Sequence, residues 1–277
     1  MLRVEGLRLA PHAEPITTEV RSAEILGLAG LEGHGQELFL QRLCGLSLAS
    51  SGTVTVPRGP KESKDAAIID LKSAARHGIS YVPRDRKAEG IFPSLSVLDN
   101  FSISWLDLES RFGFIRRTGL IRRYDVALSK LQIAAASPDA SITSLSGGNQ
   151  QKVLVARALE TGSRVLLLND PTRGVDTSSA RGLHEILCAL ARAGLAIVLL
   201  STEISELVEI CDRALVFHRG SLVGEYVSPL DEGTLLAGMF GRKSSSLSAE
   251  PRDTGLGLGE QSSRTGGARG DLGRGLD

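Results

Sequence analysis

The residues best suited to chemistry begin in a glycine-rich segment, Gly30-Leu31-Glu32-Gly33-His34-Gly35-Gln36-Glu37. It follows the compact apolar run Ile25 to Ala29 and leads into a helical pattern from Glu37 to Cys44. Such a strand–loop–helix turn aims consecutive backbone N–H groups and a helix N-terminus at phosphates. A complete phosphate loop follows its last glycine with Lys, for the β- and γ-phosphates, and then Ser or Thr, for Mg²⁺. Here Gln36 stands at the Lys position and Glu37 at the hydroxyl position. Gln36 removes a positive charge and Glu37 adds a negative one. At ~4 Å and an effective dielectric near 20, one such repulsion is roughly 4 kcal/mol, or about a thousandfold in affinity. A Mg²⁺ bridging Glu37 to the phosphates would cancel much of it, because carboxylates suit that ion. Phosphate binding is therefore predicted to be weakened, not lost, with His34 as an additional donor.

A second segment, Leu145-Ser146-Gly147-Gly148-Asn149-Gln150-Gln151-Lys152, opens the apolar-faced helix Val153 to Leu159. Ser146 is a helix cap, and Gly147 and Gly148 let a phosphate approach the backbone closely. The buried strand Val165 to Leu168 then ends in the polar residues Asn169, Asp170, Pro171 and Thr172.

The elements that must position these segments are predicted from periodicity. Residues 1–24 alternate as short strands, Ile79 to Val82 is a further strand, and residues from about 93 to 160 are mostly helical in pattern. Three strand–helix units follow, starting at Val165, Ala196 and Ala214. Strands alternating with helices imply an α/β fold with a mainly parallel sheet. From about residue 243 Ser, Gly, Arg and Asp dominate, and 243–277 is predicted to be a disordered tail.

At 277 residues with 42% hydrophobic content, the chain holds one large domain, or one domain and a tail. Formal charge balances at zero, so nothing in the bulk charge favours nucleic acid. Cys44, Cys188 and Cys211 lack metal-ligand spacing and are read as buried thiols in a reducing compartment. No signal pattern is present, and the longest apolar runs are far too short to span a bilayer. A cytoplasmic location with any membrane link through a partner is expected. His12, His34, His77, His184 and His218 show no ligand spacing and are read as surface or loop residues.

The Ser-Gly-Gly helix and the strand ending Asn169-Asp170 resemble the signature motif and Walker B strand of an ATP-binding cassette (ABC) domain. The resemblance covers roughly residues 1–242, with Arg157-Ala158-Leu159 and Pro171-Thr172-Arg173-Gly174-Val175-Asp176 at the family's spacing. It points most closely to the second cassette of double-cassette ATP-binding proteins of sugar and nucleoside importers. Gly33-His34-Gly35-Gln36, Pro83-Arg84-Asp85-Arg86-Lys87 with Gly90, and the Asn-Gln-Gln-Lys signature ending carry that likeness. It implies a P-loop NTPase fold of ABC type: a mainly parallel sheet core, an N-terminal antiparallel β part, and a helical subdomain inserted at about 93–160.

The resemblance also shows where the chain departs from the family. Walker B ends in Asp for the metal and Glu for the attacking water, and here Asn169 and Asp170 stand there. The switch histidine is replaced in Leu200-Ser201-Thr202-Glu203, so Glu203 marks a degenerate switch position. Arg84 occupies the Q-loop glutamine position, and no aromatic precedes Phe39 to stack adenine. A non-hydrolytic site is therefore expected, with any residual activity through Asp170. Family cassettes pair head to tail, so Ser146, Gly147, Gly148 and Gln150 would contact ATP held by another cassette, with Asp176 at the seam. The expected cofactors are ATP and its Mg²⁺.

The implied partners are a second cassette, with a heterodimer favoured over a homodimer, transmembrane permease subunits and, indirectly, a periplasmic or extracellular substrate-binding protein. Phe92, Pro93, Leu95, Val97, Phe101 and Trp105 would supply the permease contact, against burial of Leu95, Val97 and Phe101 within the helical part. Three alternatives stay open at this point. They are a competent transport ATPase with compensated substitutions, a cassette protein of DNA repair or translation, and a pure binding module held by a permease.

Overall fold

Unbroken apolar runs build the centre of the computed structural model, which describes residues 1–47, 51–57, 65–111 and 114–242. The tail expected to be disordered, 243–277, lies outside the described residues. β1 (Leu2–Leu7) pairs antiparallel with β2 (Ile16–Val20), and β3 (Ile25–Gly30) runs through the glycine-rich loop into α1 (Gln36–Leu43). β4 (Thr53–Val56) and β5 (Ala66–Ala67) complete a four-stranded antiparallel sheet, ordered β2-β1-β4-β5. The short α2 (Leu71–Arg76) is fixed by a reciprocal cap between Asp70 and Ser73 and hands over to β6 (Ile79–Val82).

After one π-helical turn at Arg86–Gly90 come α3 (Val97–Ser102), the antiparallel pair β7 (Ser110–Arg111) and β8 (Phe114–Ile115), α4 (Arg117–Leu131) and α5 (Gly147–Glu160). The chain then alternates through β9 (Val165–Asn169), α6 (Thr177–Arg192), β10 (Ala196–Leu200), α7 (Ile204–Ile210) and β11 (Arg213–His218). It closes with β12 (Ser221–Val227) and α8 (Glu232–Met239).

The main sheet has the order β12-β11-β3-β10-β9-β6 and is parallel except for β12 at its edge. β9 and β10 are buried at every position, as strands covered on both faces must be. Their side chains alternate between two cores. Leu166, Leu168, Ile197 and Leu199 face one with Leu154 and Leu187, while Leu167, Val198 and Leu200 face the other with Phe39 and Leu40. The sheet thereby places the ends of β3, β6, β9 and β10 side by side.

Two expectations need correction. β11 does not open a strand–helix unit; it reverses into β12 through Arg219 and Gly220, whose φ values of 47° and 81° suit a two-residue hairpin turn. The segment 93–160 is mostly helical, as expected, with the two-residue strands β7 and β8 interrupting it. Val97 and Phe101 are buried, as the burial alternative expects, and Trp105, expected at a permease contact, is buried with them; only Phe92 and Pro93 of that set are exposed. Trp105 packs edge-on against Phe101, 5.2 Å between ring centres, and donates its Nε1–H to the Phe101 carbonyl at 3.0 Å.

Gly45, just after α1, illustrates a backbone constraint. Its φ is +70°, and a Cβ there would come within 2.6 Å of the Asp70 backbone. Gly45→Ala should lower stability by about 2–4 kcal/mol in urea unfolding, from strained backbone plus crowding. A loss below about 0.5 kcal/mol, the range of neutral surface changes, would show that the loop simply moves aside.

Candidate nucleotide site and signature face

The glycine-rich loop leaves β3 and turns through Gly33 and Gly35, with φ of +79° and +107°, into α1. Gln36 does not point out of it. Its buried side chain folds back across the loop, and Nε2 donates to the Gly30 and Leu31 carbonyls at 3.0 and 2.9 Å. Gly30 permits this, because a Cβ there would lie 2.6 Å from Gln36 Oε1. His34 stands edge-on to His218, 4.8 Å between ring centres, with its Nδ1 buried and without a hydrogen-bond partner.

Glu37 and Asn169 meet across the sheet: Asn169 Nδ2 donates to Glu37 Oε1 and to the Tyr81 hydroxyl, each at 3.0 Å. Burial pushes the Tyr81 phenol up to about 12, so it stays neutral. Asp170, at the tip of β9, is 2% exposed and adopts φ 50°. Its carboxylate accepts from the Thr202 hydroxyl at 3.0 Å and the Thr202 N–H at 3.3 Å. Arg84 completes the clamp. Its Nε lies 3.4 Å from Asp170 Oδ2 and its Nη1 3.4 Å from Glu32 Oε1 in the phosphate loop, a cation spanning two carboxylates. Glu203 is exposed at the start of α7. The roles of Arg84 and Thr202 toward Asp170 were missed from sequence; a charge placed where glutamine was expected was the only signal.

On the signature face Ser146 caps α5 and is exposed, with its Oγ accepting from Asn149 Nδ2 at 3.0 Å. Gly147 and Gly148 allow close packing within the chain itself. A Cβ on Gly147 would meet Arg86 Nη2 at 2.5 Å, and one on Gly148 would overlap Ser179. Arg86 in turn donates to the Arg173 and Gly174 carbonyls at 2.8 and 3.0 Å, pinning the loop that precedes α6. Gln150 is turned inward and spends its Nε2 on the Ile142 and Leu145 carbonyls, both at 3.2 Å. It shapes the loop before the cap instead of facing a phosphate. Asp176 caps α6 and is exposed; hydrogen bonds from Ser179 and Ser178 hold its carboxyl well below the usual range.

A cleft of about 490 Å³ lies below, lined by Asp170, Thr172, Thr202, His184 and Glu206. His184 corrects the reading of the histidines as surface groups, since it is buried with Nε2 2.7 Å from Glu206 Oε1. Thr172 donates to the other Glu206 oxygen at 3.1 Å. Burial opposes a charge on His184, but the bonds and charges of Glu206 and Glu209 outweigh it and raise its pKa above 6.5. A raised folded-state pKa contributes stability that is full below the ordinary histidine value and lost as pH rises through the raised one. The melting temperature should therefore fall from about pH 6.5 to 8, the window in which histidine titrates, and His184→Gln should flatten that slope. An unchanged slope in the variant would remove His184 as its source.

A mainly parallel sheet with a glycine-rich loop at the end of β3 and a polar terminus on β9, joined in the chain by a helix capped by Ser-Gly-Gly, defines a nucleotide-binding cassette of the P-loop class. The chain belongs to the ABC transporter family, whose family profile, described as ABC transporter, matches residues 13–173. It is 36% identical over 244 residues to the ribose import ATP-binding protein RbsA of Cereibacter sphaeroides, covering 88% of this chain and 48% of that protein. It is 41% identical over 225 residues to ribose import ATP-binding protein RbsA 1 of Rhizobium johnstonii, covering 80% and 43%. The chain thus spans about half the length of the curated relatives it matches. Among solved structures it is similar to the dimeric post-hydrolysis state of an ATP-binding cassette bound to ADP and Pi, with TM-score 0.68 and 19% identity over 82% of this chain and 98% of that one. At that identity the likeness concerns the fold.

Proposed function

We propose that residues 1–242 form the ATP-binding domain of an importer for a sugar of the ribose, xylose or galactose type, or for a nucleoside. In this reading it is the non-hydrolytic half of an asymmetric cassette pair and lends Ser146, Gly147 and Gly148 to the ATP of a separate catalytic cassette. The ribose-importer relatives support the substrate class. Among the described residues no helix is long and apolar enough to cross a membrane. In this reading the membrane link runs through permease subunits on the cytoplasmic face, which a substrate-binding protein addresses from the other side.

The observation that carries the non-hydrolytic role is the clamp on Asp170. A general base must be free to take a proton from water, and this carboxylate is buried, bonded to Thr202 and in contact with Arg84. In the assembled transporter, Asp170→Ala should change ATP turnover by less than about twofold, whereas removing a working general base costs roughly 10²–10⁴. A hundredfold loss would move the chemistry into this chain.

A further inference from the structure

Glu37 and Asn169 have exchanged chemistries. In P-loop enzymes a loop Ser or Thr hydroxyl and a carboxylate at the strand end hold Mg²⁺. Here the carboxylate sits on the loop side and the neutral amide at the strand end, so the pair keeps one negative charge with its positions reversed. The two side chains touch at 3.0 Å. Both amide hydrogens of Asn169 are used, toward Glu37 and Tyr81, which leaves Oδ1 as its free acceptor. That oxygen is buried and has no partner, and the same is true of Gln36 Oε1 in the adjoining loop. Buried polar atoms are almost always satisfied in folded proteins, so two orphaned oxygens, one of them on the residue bonded to Glu37, call for a water or an ion.

The set suits Mg²⁺, which takes hard oxygen ligands and is commonly held by one or two carboxylates plus substrate phosphates, not by an all-protein cage. Among the described residues no group of three His, Cys, Asp or Glu side chains could hold a metal alone, as that mode requires. Asp170 is already in contact with Arg84, so Glu37 is the carboxylate left for the ion. When bound, the ion neutralises phosphate charge. Glu37, which would otherwise repel phosphates, then attracts them through it.

We propose that Glu37 is the metal-anchoring carboxylate of this site, positioned by Asn169, and that the site holds a Mg²⁺–nucleoside di- or triphosphate. This rests on reading the loop as a nucleotide site, and it is independent of the signature's service to a partner.

The test titrates the purified full chain with a fluorescent ATP analogue in Mg²⁺ or in EDTA. Mg²⁺ should tighten binding by about ten- to a hundredfold, the range typical of perturbed metal shells. Glu37→Ser should remove that gain, and Glu37→Ser with Asn169→Asp, which restores the hydroxyl–carboxylate order, should recover it. Mn²⁺ paramagnetic resonance of the wild-type nucleotide complex gives a second readout that needs no variant and should show bound ion. Equal affinity with and without Mg²⁺, no nucleotide binding in either buffer, or a double variant that is folded yet no better than Glu37→Ser would overturn the proposal. The titration uses this chain without a partner, so its outcome is read separately from the stimulation that tests the signature role.

Discussion

Ser146→Arg should abolish the ATPase stimulation that this chain gives to a catalytic partner cassette. Ser146 is exposed at the first turn of a 14-residue helix, where backbone N–H groups and the helix dipole favour an anion. Removing one donor to a developing transition-state charge costs about 10²–10³ in rate, and an arginine would also fill the space a phosphate needs. Gly147 and Gly148 leave no slack for relief, because Arg86 and Ser179 already pack against their missing Cβ positions. Ser146→Thr, which keeps the hydroxyl cap, should retain most of the stimulation. Equal stimulation by wild type and Ser146→Arg would mean that the signature does not serve the partner's nucleotide.

The largest stability effect should come from Arg213. This side chain is 2% exposed and holds Glu24 with both Nε and Nη2, at 2.8 and 3.2 Å. Nη1 reaches Glu225 Oε1 at 2.7 Å, and Nη2 also donates to the Glu19 carbonyl at 2.6 Å. One guanidinium thus ties the ends of β2, β3, β11 and β12. Arg213→Leu strands the buried Glu24 carboxylate, and breaking a buried pair this way costs about 3–5 kcal/mol. That is a large part of a typical total stability of roughly 5–15 kcal/mol. Adding Glu24→Leu should recover most of the loss, because the uncompensated charge is gone. Urea unfolding of both variants decides it; a single variant that loses under about 1 kcal/mol would mean that water reaches Glu24.

Strands with continuous apolar runs were legible from sequence. Ile79–Val82 and Ala196–Leu200 agree with the expectation residue for residue; in Ala196–Leu200, burial on both faces leaves no other composition. β4, β5 and α2 went unseen, being short, partly exposed and stabilised by pairing with β1 or by a local cap. β12 was hidden by its turn, since Arg219 at positive φ carries none of the usual glycine or asparagine signal at that position.

At the site, spacing located Gln36, Glu37, Asn169 and Asp170 and showed each as a departure. Their contacts were not legible, because β3 and β9 become near neighbours only after β10 inserts between them. From sequence Glu37 reads as a repulsive charge that a bridging Mg²⁺ would offset, with no protein partner, whereas it is bonded to a residue 132 positions away. Arg84 likewise looked like a lost glutamine ligand, and only the folded sheet brings it against Asp170.

The most direct test is ATP hydrolysis by the purified chain, alone and combined with a catalytic cassette and its permease. No turnover from the chain alone, with a rise in the combination that Ser146→Arg removes, is the expected result. Robust turnover by the chain alone, abolished by Asp170→Ala, would contradict the assignment of a non-hydrolytic half.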